Sequence, residues 1–177
     1  MSIKLIWITP DAEKLLGYIA RVSNPQNQDN ENVGGLLRYM VKHQHWSPFE
    51  MVSAVFEIET TRDIARQILR HRSFSFQEFS QRYADVSLLP AAQLRECRLQ
   101  DTKNRQNSLI TDDQAKHDMW SQIQARVSDV ALAAYQQALK MGVAKEQARA
   151  VLPEGLTPSR MYMSGTLRSW MHYCQLR

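Results

Sequence analysis

Between Thr111 and Gly142 the apolar residues Met119, Ile123, Val127, Val130, Ala134, Ala138 and Met141 return at three- and four-residue steps. That period predicts one long amphipathic helix. Thr111-Asp112-Asp113-Gln114 supplies side-chain oxygens to open it, and Gly142 supplies a stop. A helix of roughly 30 residues spans about 45 Å. It sets the dimension of whatever packs on it, and its apolar stripe marks it as a core helix.

The rest of the chain reads as shorter pieces. Ile3 to Thr9 predicts a short buried strand. Pro10 and Asp11 open a helix to about Arg21, with Leu15, Leu16 and Ile19 on one face. Asn24 to Asn32 is a polar loop, and Leu36, Leu37, Met40 and Val41 mark a second helix ending near His43. Ser47-Pro48-Phe49-Glu50 resembles a capping box, but Val52 to Glu59 is rich in β-branched and aromatic residues and predicts a strand. Thr60 or Thr61 then caps a helix through about Arg72. Residues 73–87 are irregular or extended, and 91–110 form a long polar loop. Lys145 to Val151 is a short helix, 155–166 is extended and 167–177 is helical. The expected class is α/β (α+β): a single domain over 1–177 with a central sheet flanked by helices.

Composition narrows the function. The chain has 177 residues, enough for one sizeable core. No apolar run approaches the roughly 20 residues that cross a bilayer, and no signal-peptide pattern opens the chain. Cys97 and Cys174 are the only cysteines and neither sits in a metal-type pair. A reducing, cytoplasmic setting without a bound metal is expected. The net charge is +4, and Arg outnumbers Lys fifteen to seven. Arg is the planar fork that grips phosphate and carboxylate with two bonds, so anionic partners are indicated.

The arginines concentrate in residues 62–83, RDIARQILRHRSFSFQEFSQRY, with five Arg and one His against Asp63 and Glu78. On a helix running to Arg72, Arg62, Arg66 and Arg70 share one face, while Ile64, Ile68 and Leu69 can face the core. Like charges so stacked repel by about 0.2–0.5 kcal/mol per pair. A solvated basic face, or one paired with acids elsewhere, accounts for this as well as an anion site does.

The pattern beyond that helix decides between them. Arg70-His71-Arg72 is followed by seven residues and then Ser80-Gln81-Arg82, with Gln67, Glu78 and Tyr83 around it. Lys42-His43-Gln44-His45-Trp46-Ser47-Pro48-Phe49-Glu50 lies upstream, Ala148-Arg149-Ala150-Val151-Leu152-Pro153 downstream, and Leu167-Arg168-Ser169 with Leu176-Arg177 close the chain. Four such blocks in this order resemble the flavin-dependent thymidylate synthases.

The resemblance implies an α/β homotetramer with active sites where subunits meet. It implies reductive methylation of dUMP to dTMP with FAD reduced by NADPH, methylenetetrahydrofolate as carbon donor and no protein nucleophile. Gln67, Arg70, Glu78, Ser80, Gln81, Arg82, Arg149 and Arg177 look like the dUMP site. Ser47, Glu50, Arg70, His71, Arg72, Glu78, Thr166, Arg168 and His172 look like FAD contacts. His45 is similar to a family His near flavin and folate, so Arg177, His45 and Arg82 are the residues expected nearest the chemistry. Arg177 resembles the Arg that contacts the uracil, where a cation favours an N3-deprotonated ring. Ser80 has no strained Gly-x-Ser-x-Gly turn around it and is read as a hydrogen-bonding residue. No GxGxxG fingerprint is present, which argues against a dedicated nicotinamide fold.

Three departures stand beside the match. Thr166 and His172 replace the Asn of many relatives. The 91–110 stretch carries no family signal. Relatives also run on past the residue equivalent to Arg177, so either the protein is short or a C-terminal segment is missing. The resulting alternative is a protein of the same fold that binds FAD and dUMP but turns over weakly. A single-strand nucleic-acid module is a further alternative: Phe74, Phe76, Phe79 and Tyr83 interleave with the basic residues, but no RNP, KH or zinc-knuckle pattern accompanies them. No membrane or nucleic-acid partner is expected.

Overall fold

The computed structural model describes residues 1–176. In chain order its elements are β1 (Ser2–Ile8), α1 (Ala12–Ala20), α2 (Gly34–Lys42), β2 (Ser53–Thr61), α3 (Arg62–Ile68), β3 (Ser75–Glu78), β4 (Arg98–Gln100), β5 (Ser108–Ile110), α4 (Gln114–Lys140), α5 (Lys145–Ala148), β6 (Pro158–Thr166) and α6 (Leu167–Leu176). Short 3-10 turns intervene, among them Ser47–Glu50 and Arg149–Val151. The class is mixed α and β, as expected. The chain divides into two compact units, and neither is a continuous stretch of sequence. One takes Ser2–Glu59, Gln67–Glu78 and the chain from Arg160 onward, and the other takes Met1, Thr60–Arg66 and Phe79–Ser159.

The first unit holds most of a four-stranded sheet in the order β1-β2-β6-β3. β1 runs antiparallel to β2 and β3 antiparallel to β6. β6 alternates as a half-buried strand must: Met161 and Met163 are buried, while Arg160 and Tyr162 lie on the opposite face. On that face Arg160 donates to Glu59 at 2.6 Å and the Tyr162 hydroxyl donates to Glu57 at 2.7 Å. The other face receives α6, whose Trp170 indole donates to the Ala54 carbonyl and packs edge-on against Phe56 and Phe74. Gly165 is required there, because a Cβ on it would fall 2.4 Å from the Phe74 ring. Leu16, Met40, Phe49 and Val52 form a second core cluster with Leu167 and Met171 against it.

β1 corrects one expectation. It is a strand, but every residue of it is exposed, Trp7 at 48% and Ile3 at 61%. It ends the strand order, and a register shift between Leu5 and Trp7 marks a bulge against β2.

In the second unit Asp113 caps α4 by accepting from the Lys116 backbone N–H, and the helix runs to Lys140 as its periodicity predicts. Its orientation does not follow the prediction. Met119 at 65%, Ile123, Val127, Val130 at 65% and Met141 are exposed. The inward face carries buried Gln124 and Tyr135 with partly buried Ser128, Ala131, Ala134 and Ala138. Tyr135 packs with Val86 and Ala148. Helix residues one position apart differ by about 100° in direction, so a neighbouring stripe of small and polar residues meets the core. The Gln124 amide accepts from the Arg95 N–H at 2.8 Å and donates to the Arg95 carbonyl at 2.9 Å. Arg95 in turn seats its guanidinium on both Asp63 oxygens and the Thr61 hydroxyl. The stretch expected to be a featureless loop therefore begins with an anchor and continues into the β4–β5 hairpin.

α3 ends four residues before the expected Arg72. After Ile68 the backbone tightens, with Arg70 N–H donating to Gln67 and His71 N–H to Ile68. Arg70 is thus on a turn, and the three-arginine face does not form. Arg62 is buried, and exposed Arg66 pairs with Glu154 at 3.6 Å. Ile68 alone of the three apolar residues is fully buried.

Candidate active site

In the sheet-bearing unit the Ser47–Glu50 turn packs against α6. Glu50 accepts from Arg168 Nη1 at 2.6 Å and from the Thr166 hydroxyl at 2.7 Å. Thr166 also caps α6, accepting the Ser169 backbone N–H at 3.2 Å. The Arg168 and Thr166 hydrogen bonds hold the Glu50 carboxyl below its ordinary pKa, against a smaller opposing effect of burial. Capping a turn is therefore not the role of Glu50: it fixes Arg168. The Arg70-His71-Arg72 turn reaches the same helix, with the His71 ring edge-on to Tyr173 at 4.8 Å. His172, the neighbour of Tyr173, and Arg72 are exposed. Cations, ring N–H groups and hydroxyls from three segments thus lie along α6. This donor set suits a large anionic ligand such as a dinucleotide pyrophosphate.

His45 follows the end of α2. Gln44 adopts a left-handed conformation, φ 58°, without being glycine. Its N–H donates to Val41, and the His45 N–H donates to Met40, closing a Schellman-type end. The exposed His45 ring lies 5.8 Å from Tyr39 and 6.2 Å from His43, and His43 lies 4.2 Å from Tyr39. His43 is therefore part of a ring cluster with His45.

In the other unit Ser80, Gln81 and Arg82 open a turn in which Tyr83 and Ala84 N–H groups donate to the Ser80 carbonyl. Gln81 is buried, and its Nε2 has no hydrogen-bond acceptor. A buried donor without a partner costs about 1–3 kcal/mol, so a site that keeps one calls for an explanation such as a bound acceptor. Arg82 Nε pairs with Glu146 at 3.1 Å, and Arg149 Nε donates to the Glu146 carbonyl at 3.1 Å. A cavity of about 280 Å³ in this unit is lined by Val86, Leu89, Leu132, Leu152 and Leu156 and by none of the expected residues.

The expected FAD residues all fall in the sheet-bearing unit. The expected dUMP residues divide, with Gln67, Arg70 and Glu78 in that unit and Ser80, Gln81, Arg82 and Arg149 in the other. Arg177 lies outside the described residues. Phe74 is buried and Phe76 and Phe79 are half-buried, which leaves exposed Tyr83 alone of the four aromatics on which a strand-binding module would stack its bases. Glu146, which touches Arg82 and Arg149, and Tyr39, which lies beside His45, are the site-adjacent residues that sequence reading missed. Only Glu146 carries any signal, standing three residues before Arg149 on a predicted helix.

Comparison with known proteins meets this geometry. Residues 4–177 match the Thy1 family, described as thymidylate synthase complementing protein. The chain is 48% identical over 185 residues to a probable flavin-dependent thymidylate synthase of Paramecium bursaria Chlorella virus 1, covering all of this chain and 84% of that one. It is 50% identical over 165 residues to the flavin-dependent thymidylate synthase of Synechocystis, covering 93% and 74%. The crystal structure of the UMP/dUMP methylase PolB from Streptomyces cacaoi, bound with 5-Br dUMP, superposes with a TM-score of 0.77 at 29% identity, over 97% of this chain and 75% of that one. This chain belongs to the Thy1 family, the family of the flavin-dependent thymidylate synthases.

Proposed function

We propose that this protein makes dTMP by reductive methylation of dUMP as a flavin-dependent thymidylate synthase. The reading rests on 48–50% identity to enzymes of that name along nearly the whole chain. It is a methyltransferase that uses FAD. Bound FAD, once reduced by NADPH, supplies the hydride, and methylenetetrahydrofolate supplies the carbon.

The chain's own residues then do three things. Arg82, Arg149 and the Ser80–Gln81 turn hold the dUMP phosphate, which carries about two negative charges and suits several charge-assisted bonds. Gln81 gives its orphaned amide to a nucleotide oxygen. Gln67, Arg70 and Glu78 are nucleotide-binding residues by the family resemblance. Arg168, aimed by Glu50, binds FAD together with Ser47, His71, Arg72, Thr166 and His172. His45 meets the flavin and folate rings, and Arg177 stabilises negative charge on the uracil. The assembly is a homotetramer that draws on the exposed apolar stripe of α4 and the exposed strand β1. The protein acts in the cytoplasm, and among the described residues no helix is long and apolar enough to cross a membrane.

One preparation tests the reading. Purified protein should be yellow, release its flavin on acid denaturation, and form dTMP from dUMP, methylenetetrahydrofolate and NADPH. Colourless protein that takes up no added FAD and forms no dTMP would refute it.

A further inference from the structure

The Lys145-Glu146 pair at the start of α5 is tied to the phosphate turn at two points. Glu146 Oε2 lies 3.1 Å from Arg82 Nε, and Lys145 Nζ donates to the Tyr83 carbonyl at 3.2 Å. Arg149, one turn along, donates to the Glu146 backbone. Both arginines expected to hold the nucleotide phosphate therefore meet at one glutamate. The form of the contact matters. Arg95 and Asp63 in the same unit show an ion pair built to stay, with both carboxylate oxygens and a hydroxyl engaged. Arg82 and Glu146 show the opposite: one bond through Nε, with the side chains 57% and 47% exposed. Such a pair is weakly held and open to exchange from solvent. Among the described residues the Nη nitrogens of Arg82 donate to no protein acceptor, so a second anion can enter through them.

We infer that Glu146 is a placeholder for the nucleotide phosphate: it occupies Arg82 while the nucleotide is absent and yields it to a ligand that carries a phosphate dianion. The inference rests on the reading that Arg82 binds the dUMP phosphate. A phosphate brings about two charges and three acceptor oxygens. It can take the Nη fork of Arg82 and reach Arg149 together, where Glu146 holds a single Nε. A nucleoside without phosphate offers nothing that displaces a carboxylate. Glu146, on the exposed side of a short helix, swings into water when the phosphate arrives.

The opposite role is a brace that aims Arg82 at the phosphate, and the two differ in sign. Calorimetric titration of the FAD-loaded protein with dUMP and with 2′-deoxyuridine separates them. Glu146→Gln keeps the shape and removes the competing charge. It should tighten dUMP by roughly two- to fivefold, the range of an exposed ion pair, and leave deoxyuridine unchanged. Glu146→Asp should behave like the unmodified protein. Unchanged or weaker dUMP binding by Glu146→Gln, with Arg82→Ala strongly impaired, would overturn the inference alone. Unimpaired dUMP binding by Arg82→Ala would remove the phosphate reading of Arg82, and the inference with it.

Discussion

Glu50 and Arg168 stand 118 positions apart in sequence, yet the carboxylate receives the guanidinium at 2.6 Å. The pair ties the Ser47–Glu50 turn to the start of α6, and Glu50→Gln should loosen it. For a pair this exposed the loss is roughly 0.5–1 kcal/mol, or about two- to fivefold in FAD affinity. Fluorescence of released flavin measures this. The pH dependence has a definite sign. Because the Arg168 and Thr166 hydrogen bonds lower the Glu50 pKa, the pair's contribution is present above the ordinary glutamate value of about 4.3. It disappears as the pH falls through the lowered one. That acid loss should be missing from the Glu50→Gln profile, and an identical profile would dismiss Glu50 as the anchor.

Gln81 offers a contrast between stability and binding. Its amide is buried and Nε2 lacks an acceptor, so Gln81→Leu removes an unsatisfied group. Thermal stability should hold or rise, since an apolar replacement of such a group is near neutral or favourable. Binding of dUMP should weaken tenfold or more, about 1.4 kcal/mol. If melting temperature and dUMP affinity fell together, Gln81 would be a structural residue.

The elements were legible in sequence where period or capping marked them. α4 announced itself by its apolar steps, whereas β6 was legible only as an extended stretch over 155–166. What periodicity does not carry is which surface covers a stripe. Both β1 and the apolar face of α4 were read as core and are exposed on this chain. α3 stopped at Ile68 without a Gly or Pro to signal it, because His71 turns onto Tyr173 and Phe74 turns into the core. The β4–β5 hairpin has three-residue strands of mostly exposed residues, too short for a pattern. In the site, charge type and motif spacing marked Arg82 and Arg149. The glutamate between them is a tertiary relationship that a single sequence does not display.

Gln44 carries backbone strain beside His45. A left-handed non-glycine residue costs about 1–2 kcal/mol, and glycine gives back part of that gain in unfolded-state entropy. Gln44→Gly should therefore raise stability by roughly 0.5–1 kcal/mol, measured by denaturant unfolding. An unchanged or lower unfolding midpoint would show that the Gln44 side chain supports the turn.

No thiol is needed for the proposed chemistry. Cys97 is half-buried, Cys174 is exposed on α6, and both are free. A Cys97→Ser, Cys174→Ser double variant should keep dTMP formation within a few-fold. A thousandfold loss with FAD still bound would restore a cysteine nucleophile.

The exposed stripe of α4 makes the assembly testable. Met119, Ile123, Val127 and Val130 present large apolar side chains on one side of a helix whose other side meets the core. Exposed apolar patches of this kind mark interaction surfaces in soluble proteins. Val127 is 46% exposed and belongs to neither core cluster. Val127→Asp should therefore leave secondary structure and the fold of the chain intact, as circular dichroism would show. At a subunit interface the same substitution buries an unpaired carboxylate, which costs several kcal/mol at each copy. Light scattering coupled to size exclusion should then find a smaller species than the tetramer expected of the unmodified protein. FAD affinity should fall with assembly if the flavin site draws on a second subunit. A variant of unchanged mass would show that the α4 stripe faces water in the assembled protein, and β1 would become the surface to disrupt next.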